Sequence, residues 1–261
     1  MFEVRIYRTA LCLVSCLAAT AMMTPVAVAG YELTLVTPPN TVDTVISEVI
    51  TREAYKRIGI QVNIRKYPGE RALRLANSGK VDGEVQRING IAANYTNLIQ
   101  VHPAINYIEG AAFTQSLSFA VKGWSSLEPY RVGYIRGIKF AERNTKNMDA
   151  QAVGDYQGLF RMLDQNRLDV AISPRLNGLY QMKLLGVANI QVLTPSIMRF
   201  DLFHYLHKKH EKLVPKISAV FEVMRQSGEL TAIREHVIAV LMERGAKKLD
   251  VCDKDYSCFR R

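Results

Sequence analysis

The sequence predicts an α/β protein of two lobes, each a mainly parallel sheet flanked by helices, with a cleft between them. Two observations carry this reading. First, the phrase Asn77-Ser78-Gly79-Lys80-Val81-Asp82-Gly83-Glu84-Val85 returns in outline 87 positions later as Asp164-Gln165-Asn166-Arg167-Leu168-Asp169-Val170-Ala171-Ile172. Each copy follows an amphipathic run (72–76 and 159–163) and leads into an apolar strand, the pattern of a helix, a tight turn and a buried strand. Second, residues 31–88 alternate between strand-like and helix-like periodicity as β-α-β-α-β, which favours a parallel sheet covered on both faces. A duplicated α/β unit places a site between its copies, where the strand ends of both halves face one cleft.

The elements follow in order. Residues 31–36 alternate into a strand that ends at the turn signal Thr37-Pro38-Pro39-Asn40, and Val42, Val45, Ile46, Val49 and Ile50 then keep helical spacing. Gly59 stops that helix, and 60–67 alternate as a second strand with Val62 and Ile64 on one face. Pro68-Gly69-Glu70 opens a helix that carries Leu73 and Leu75 and ends at Gly79, before the strand 83–88. Residues 98–121 read as extended and cross from one lobe to the other. After a turn over 124–129 a new unit begins: strand 131–136, Gly137, a helix, a strand near Ala152-Val153, a helix over 156–163 and a strand over 169–173. Residues 189–193 form one more strand, and 199–206 return to the first lobe. Two closing helices over 212–244, split at Gly228, present Leu213, Ile217, Val220, Phe221 and Met224, then Ile233, Val237, Val240 and Leu241. The expected domains are a signal peptide (1–29), lobe 1 (30–121 and 199–245), lobe 2 (122–198) and a tail (246–261).

The first 29 residues have the form of an export signal, with Arg5 and Arg8, an apolar run over 10–23 and Ala27-Val28-Ala29 as the cleavage site. The apolar run is short for a spanning helix of about 20 residues. Leu13-Val14-Ser15-Cys16 offers a lipoprotein alternative, at the cost of a greasy tail over 17–29. Cleavage at residue 29 would remove Cys12 and Cys16 and leave Cys252 and Cys258, which are expected to pair as a disulfide in the oxidising periplasm. Those two cysteines alone do not make a zinc site. The formal charge is +10, and +9 once Glu3, Arg5 and Arg8 are gone. The cations are spread along the chain without a basic-aromatic motif, so nucleic acid is not an expected partner; a small solute, an anionic one especially, is.

Ligands of open α/β sheets sit at the carboxyl ends of strands, so the strand endings supply the candidates. In lobe 1 these are Thr37 and Asn40, Tyr67 with Arg71, and Arg87 with Asn89; in lobe 2, Arg136, Gly137 and Ile138 at a helix start, and Ser173 with Arg175. Free N–H groups at helix starts suit anions, and Gly137 allows close approach. Arg87 is the leading candidate because a cation ending a buried strand needs a partner or an anion. Tyr67, Tyr107 and Tyr134 could line a cleft. His204, His207 and His210 do not share a face at a spacing of three, which argues against a metal. No G-x-S-x-G nucleophile motif is present, and no cofactor is implied. A non-enzymatic protein is expected; a small dehydratase-like envelope enzyme would have to use Glu84.

The phrase R-A-L-x-x-A-N-x-G-x-x-D-G from Arg71 to Gly83, the Val132-Gly133 to Gly137 segment, Leu168-Asp169-Val170-Ala171-Ile172, and Gly228-Glu229-Leu230 occur in the order found in a known group. On these residues the chain resembles a divergent member of the bacterial extracellular (periplasmic) solute-binding protein family 3, the polar amino-acid ABC-transporter type, over most of 31–245. The resemblance implies a type II periplasmic-binding-protein fold that closes by hinge motion on a small solute and presents it to a membrane permease, acting as a monomer. A ligand-sensing or interaction module of the same fold, docking on an envelope receptor, is the alternative. Departures bear on the ligand. The family's aspartate beyond the second-lobe strand is replaced by Ser173-Pro174-Arg175, and the Ser or Thr after its lobe-two glycine by Ile138-Lys139. Only Arg87 or Asn89 stands near its carboxylate-clamping arginine. These departures argue against an ordinary α-amino acid and leave an organic anion, a modified amino acid or no transported solute at all as the expectations.

Overall fold

The computed structural model describes residues 31–39 and 41–244; the expected export signal, Asn40 and the tail with Cys252 and Cys258 lie outside the described residues. The first strand, β1 (Glu32–Thr37), leads into α1 (Val42–Lys56). Thr41 caps α1 by accepting from the Thr44 N–H at 3.1 Å, and Gly59, at φ +72°, turns the chain after it. Then come β2 (Gln61–Lys66), α2 (Gly69–Asn77), β3 (Gly83–Ile88) and the long β4 (Leu98–Thr114). The second unit repeats the series as β5 (Val132–Ile135), α3 (Lys139–Asn144), β6 (Ala150–Val153), α4 (Tyr156–Asp164) and β7 (Val170–Pro174). Helix α5 (Arg175–Leu185), the short β8 (Gln191–Val192), β9 (Met198–His207), α6 (Val214–Gln226) and α7 (Glu229–Arg244) complete the chain.

Helix α5 is the element that sequence periodicity does not announce. Its Leu176, Tyr180 and Leu184 pack on one core group and its Leu179, Met182 and Leu185 on another, so no polar face marks it as a helix.

The strands form one sheet in the order β2-β1-β3-β9-β4-β7-β5-β6, with β8 beside β4. β1 pairs in parallel with β2 and β3, and β5 in parallel with β6 and β7, so the two units share one local order. The repeated sequence phrase maps onto equivalent joints, α2 to β3 and α4 to β7. β9 runs antiparallel to β3, and β4 antiparallel to β7. β3 pairs with β9 as far as Leu202, while β7 joins β4 from Gly110. Between those points Asn106–Gly110 and Met198–Leu202 pair with each other as a two-stranded ribbon.

Core packing divides on either side of this ribbon. Leu33, Leu35, Ile46, Ile50, Phe221 and Val237 belong to one group, and Val36, Ala72, Val81 and Tyr205 lie on the other face of the same strands. Phe113, Phe160 and Leu163 make a third group, and Val121, Leu127, Val132 and Ile172 a fourth.

The two aspartates of the repeat do the same work. Asp82 accepts the Thr34 N–H at 2.7 Å and donates its own N–H to the Thr34 carbonyl at 2.8 Å. Asp169 accepts the Arg131 N–H at 2.8 Å and donates its own to the Arg131 carbonyl at 2.9 Å. Each ties the helix-strand turn to the entry of the neighbouring strand. Among the described residues no helix is long and apolar enough to cross a membrane.

Gly83, in the first copy of the phrase, has no room for a side chain: a Cβ there would sit 2.2 Å from the Tyr205 carbonyl oxygen of β9. Gly83→Ala should therefore destabilise the fold by about 2–3 kcal/mol, because backbone and not a mobile side chain must yield. Urea unfolding checks it, and an unchanged midpoint would contradict the close β3–β9 approach.

Candidate functional site

Helix α1 starts just beyond the carboxyl end of β1. Over its first ten residues it carries only two charges, and the polar side chains Asp43, Thr44, Ser47, Glu48 and Thr51 there are all buried, at 0–2% exposure. Buried polar groups need partners, and these come from β3, β4 and α7. Ser47 Oγ donates to Gln86 Oε1 of β3, whose amide nitrogen donates to Thr44 Oγ1 at 3.2 Å. Asn106 of β4 donates to the Asp43 carbonyl and to Ser47 Oγ, each at 3.0 Å. Arg234 of α7 donates to Asn106 Oδ1 and, at 3.1 Å, to the Tyr107 carbonyl.

Arg234 also lies 3.5 Å from Asp43 Oδ1, an ion pair longer than a hydrogen bond, and neither Asp43 oxygen has a hydrogen-bond partner. Burial pushes the Asp43 carboxyl up to about 6, against the pull of the Arg234 guanidinium. Tyr107, in the ribbon between the halves, holds a guanidinium over each face: Arg199 at 3.6 Å and Arg234 at 3.9 Å from the ring centroid.

From the other half, β7 and α5 bring Ser173 and Asn177 to the same region. Ser173 is fully buried and donates to the Tyr156 hydroxyl at 3.2 Å or to the Pro174 carbonyl at 3.0 Å. Asn177 Oδ1 accepts the backbone N–H of Val42, the first residue of α1, at 2.8 Å. The strand ends of β1 and β7 are thus joined by a polar seam of Asp43, Asn106, Tyr107, Tyr156, Ser173, Asn177 and Arg234. Of these, sequence reasoning named Tyr107 and Ser173. The available signal for the rest was α1 itself, whose ten residues from Val42 to Thr51 hold only Asp43 and Glu48 as charges, too few for a solvated helix face.

The other expected residues fall into two further places. Arg87 lies at the end of β3, but it has a partner: it pairs with Glu84, three residues earlier, at 3.0 Å and donates to the Gly69 carbonyl at 2.9 Å. Its Nε and Glu84 Oε2 have no hydrogen-bond partner and neither does Thr37 Oγ1, all three buried near the ends of β1 and β3. Burial pushes the Glu84 carboxyl up to about 7, against the attraction of Arg87. Nearby, the Arg71 guanidinium lies 5.0 Å over Tyr67, and Tyr67 packs beside Val36 and Ala72. Asn89 is exposed.

At the end of β5, Arg136 and Gly137 are exposed, and Ile138 and Tyr134 pack against the Val132 group. Gly137, at φ +92°, donates its N–H to Glu142 Oε1 at 2.7 Å, so the chain's own carboxylate takes the place expected for an anion. Arg175 is the half-buried first residue of α5.

The three histidines separate. His204 is fully buried, 2.9 Å from the Tyr55 hydroxyl, and burial pushes it down to about 4, so it is neutral. His210 contacts Asp82 at 2.7 Å and the Tyr31 hydroxyl at 3.0 Å. The His207 ring lies against Gly79, where a Cβ would come within 3.1 Å of it. A depression of about 520 Å³ lined by His102, Pro103, Ser218, Glu222 and Arg225 lies against the flank of α6, away from the β1 and β7 ends.

Two outcomes test this electrostatic arrangement. Arg234→Met leaves Asp43 buried without its cation and should cost about 3–5 kcal/mol in urea unfolding. For Glu84, a carboxyl raised in the folded state keeps a proton that the unfolded chain loses, so its contribution to stability falls as pH rises from about 4.5 to about 7. His204 acts oppositely between about 4 and 6.5, which makes the comparison with a variant the clean measurement. The stability of the wild type relative to Glu84→Gln should fall by up to about 3 kcal/mol between pH 4.5 and pH 7.5; parallel profiles would contradict a protonated buried Glu84.

No family model matches the chain. An uncharacterized protein of Shewanella oneidensis is 27% identical over 199 residues, covering 70% of this chain and 72% of the relative. Among solved structures, a histidine kinase sensor domain with similarity to periplasmic binding proteins superposes with a TM-score of 0.59 at 19% identity, over 78% of this chain and 94% of that one. An ancestral arginine-binding protein bound to arginine gives 0.60 at 16% identity, over 78% and 96%. A probable amino-acid ABC transporter extracellular-binding protein of Bacillus subtilis gives 0.63 at 13%, over 78% and 95%. These likenesses rest on shape and connectivity at low identity, and together with the strand order they place the chain in the type II periplasmic-binding-protein fold, which amino-acid-binding proteins and a kinase sensor domain share.

Proposed function

We propose that the protein is a periplasmic solute-binding protein whose two lobes enclose a small polar solute, anionic or amino-acid-like, and deliver it to an ABC-type permease. On this reading the lobes are the two core regions, and the ribbon of Asn106–Gly110 and Met198–Leu202 is the hinge between them. The observation that carries it is the meeting of polar side chains from both halves at the ends of β1 and β7, where open α/β sheets take their ligands. Support for an organic anion comes from the cations Arg136 and Arg175, which follow β5 and β7, and from the absence of a carboxylate in Ser173-Pro174-Arg175; Arg87 and Arg199 already lie beside Glu84 and Asp201. The export signal expected over 1–29 from the sequence would agree with action outside the cytoplasm. Binding is favoured over catalysis because the solved neighbours described above are binding or sensing proteins.

A second reading, a sensing module that docks on an envelope receptor, is favoured by the likeness to the kinase sensor domain at 19% identity. The capture reading requires a solute, whereas an interaction module need not bind one. Residues 30–261, purified from the periplasm without refolding, should show a bound small molecule by native mass spectrometry, or a rise in melting temperature with one member of a panel of amino acids and small carboxylates. A solute at 100 times its Kd should add about 2.7 kcal/mol of stability. An empty protein that no panel member stabilises would remove the capture reading.

A further inference from the structure

Helix α5 is packed on both sides, and its two sides belong to different halves of the molecule. Leu176, Tyr180 and Leu184, four residues apart, lie against the core group of Val42, Val45 and Leu241, with Tyr180 only 2% exposed. On its other side Gly178 is pressed to the Phe113 ring, where a Cβ would come within 2.2 Å of Cζ, and Met182 joins the group of Phe113 and Phe160. At its C-terminal end Lys183 Nζ donates to the Met242 carbonyl of α7. At its start Asn177, 6% exposed, accepts the N–H of Val42. That N–H is one of the donors an α-helix leaves unsatisfied at its first turn, and such donors are where carboxylates and other anions bind.

We propose that α5 is a latch that keeps the lobes closed in the absence of solute, with Asn177 Oδ1 standing at the α1 donor that an acidic solute group would otherwise use. Two consequences of opening support this. Separation of the lobes would strip the Val42 N–H and Asn177 of their shared bond, and it would expose Leu176, Tyr180 and Leu184 to water. A solute reaching the start of α1 must displace the Asn177 oxygen, so its apparent affinity is lowered by the fraction of molecules that remain latched. The latch rests on the two-lobe reading above but not on the identity, or the existence, of a solute.

The test uses residues 30–261 with no solute added, in small-angle X-ray scattering and in hydrogen exchange read on the peptide that contains Val42. The wild type should scatter with the radius of gyration of this structure, in which α5 bridges the two core regions, with the Val42 amide protected. Asn177→Ala should enlarge the radius of gyration and speed exchange of the α1 N-terminal amides at least tenfold, while the far-ultraviolet circular dichroism stays that of the wild type. Asn177→Asp, which keeps the acceptor, should retain the wild-type profile. Should Asn177→Ala fail to fold, Leu176→Ser at a half-buried position should produce the same enlargement. A wild type that is already open, or variants that leave both radius and exchange unchanged, would overturn the latch. A closed wild type that ignores every solute would leave the latch standing and remove the capture function, and an open wild type stabilised by a solute would do the reverse.

Discussion

The pairing of β4 with β9 is the constraint on which the rest of the structure depends. Every other strand pairs within one half of the sheet, but these two run through both, β4 over Leu98–Thr114 and β9 over Met198–His207. Where neither has another neighbour, the ribbon is held by its own ladder and by side chains laid across it. Tyr107 between Arg199 and Arg234, and Asn106 between Asp43, Ser47 and Arg234, fasten the ribbon to α1 and α7. Arg234 is therefore a cross-link among three elements that are distant in sequence, and its charge is held at a point where an unpaired cation would be costly.

Two buried carboxyls show how differently that cost is met. Glu84 finds its arginine three residues away on the same strand, and the pair is a local matter of β3. Asp43 depends on Arg234, which the fold must bring from the last helix. Each acid keeps at least one oxygen without a hydrogen-bond donor, and in each the balance of burial against one cation leaves the carboxyl easier to protonate than in water. Both carboxyls lie near the carboxyl end of β1: Asp43 in the first turn of the helix that follows it, and Glu84 opposite Val36 in the β1–β3 ladder.

The sequence made the repeated α/β units legible because their turns carry specific chemistry. Asp82 and Asp169 recur because each turn needs an acceptor for the neighbouring strand's N–H, whereas Gly83, which faces the close approach of β9, has Val170 at its equivalent position. The strands and helices of 31–88 and 131–174 followed from period and punctuation alone. What stayed hidden was long-range. Helix α5 has no polar stripe because both of its sides are covered, and Asn177, Asn106 and Arg234 look like ordinary surface residues until their partners arrive from more than 60 positions away. Arg87, as a cation ending a buried strand, needs a partner or an anion, and Glu84 supplies the partner: three residues apart on a regular strand the two would face opposite sides, and the β3 irregularity between them brings them to 3.0 Å.

The same connectivity sets an order of assembly. The second unit draws its sheet and core from 111–197, so all its parts have left the ribosome or the export channel once residue 197 has emerged. The first unit, though it begins the chain, waits for β9, Phe221 and Val237, which come from the last third of the sequence. If the chain is exported as proposed, its early segments would cross the membrane without the contacts that fix them. The piece made first is the piece completed last, so the first unit stays unfolded for as long as synthesis lasts, a state that would suit passage through a translocation pore.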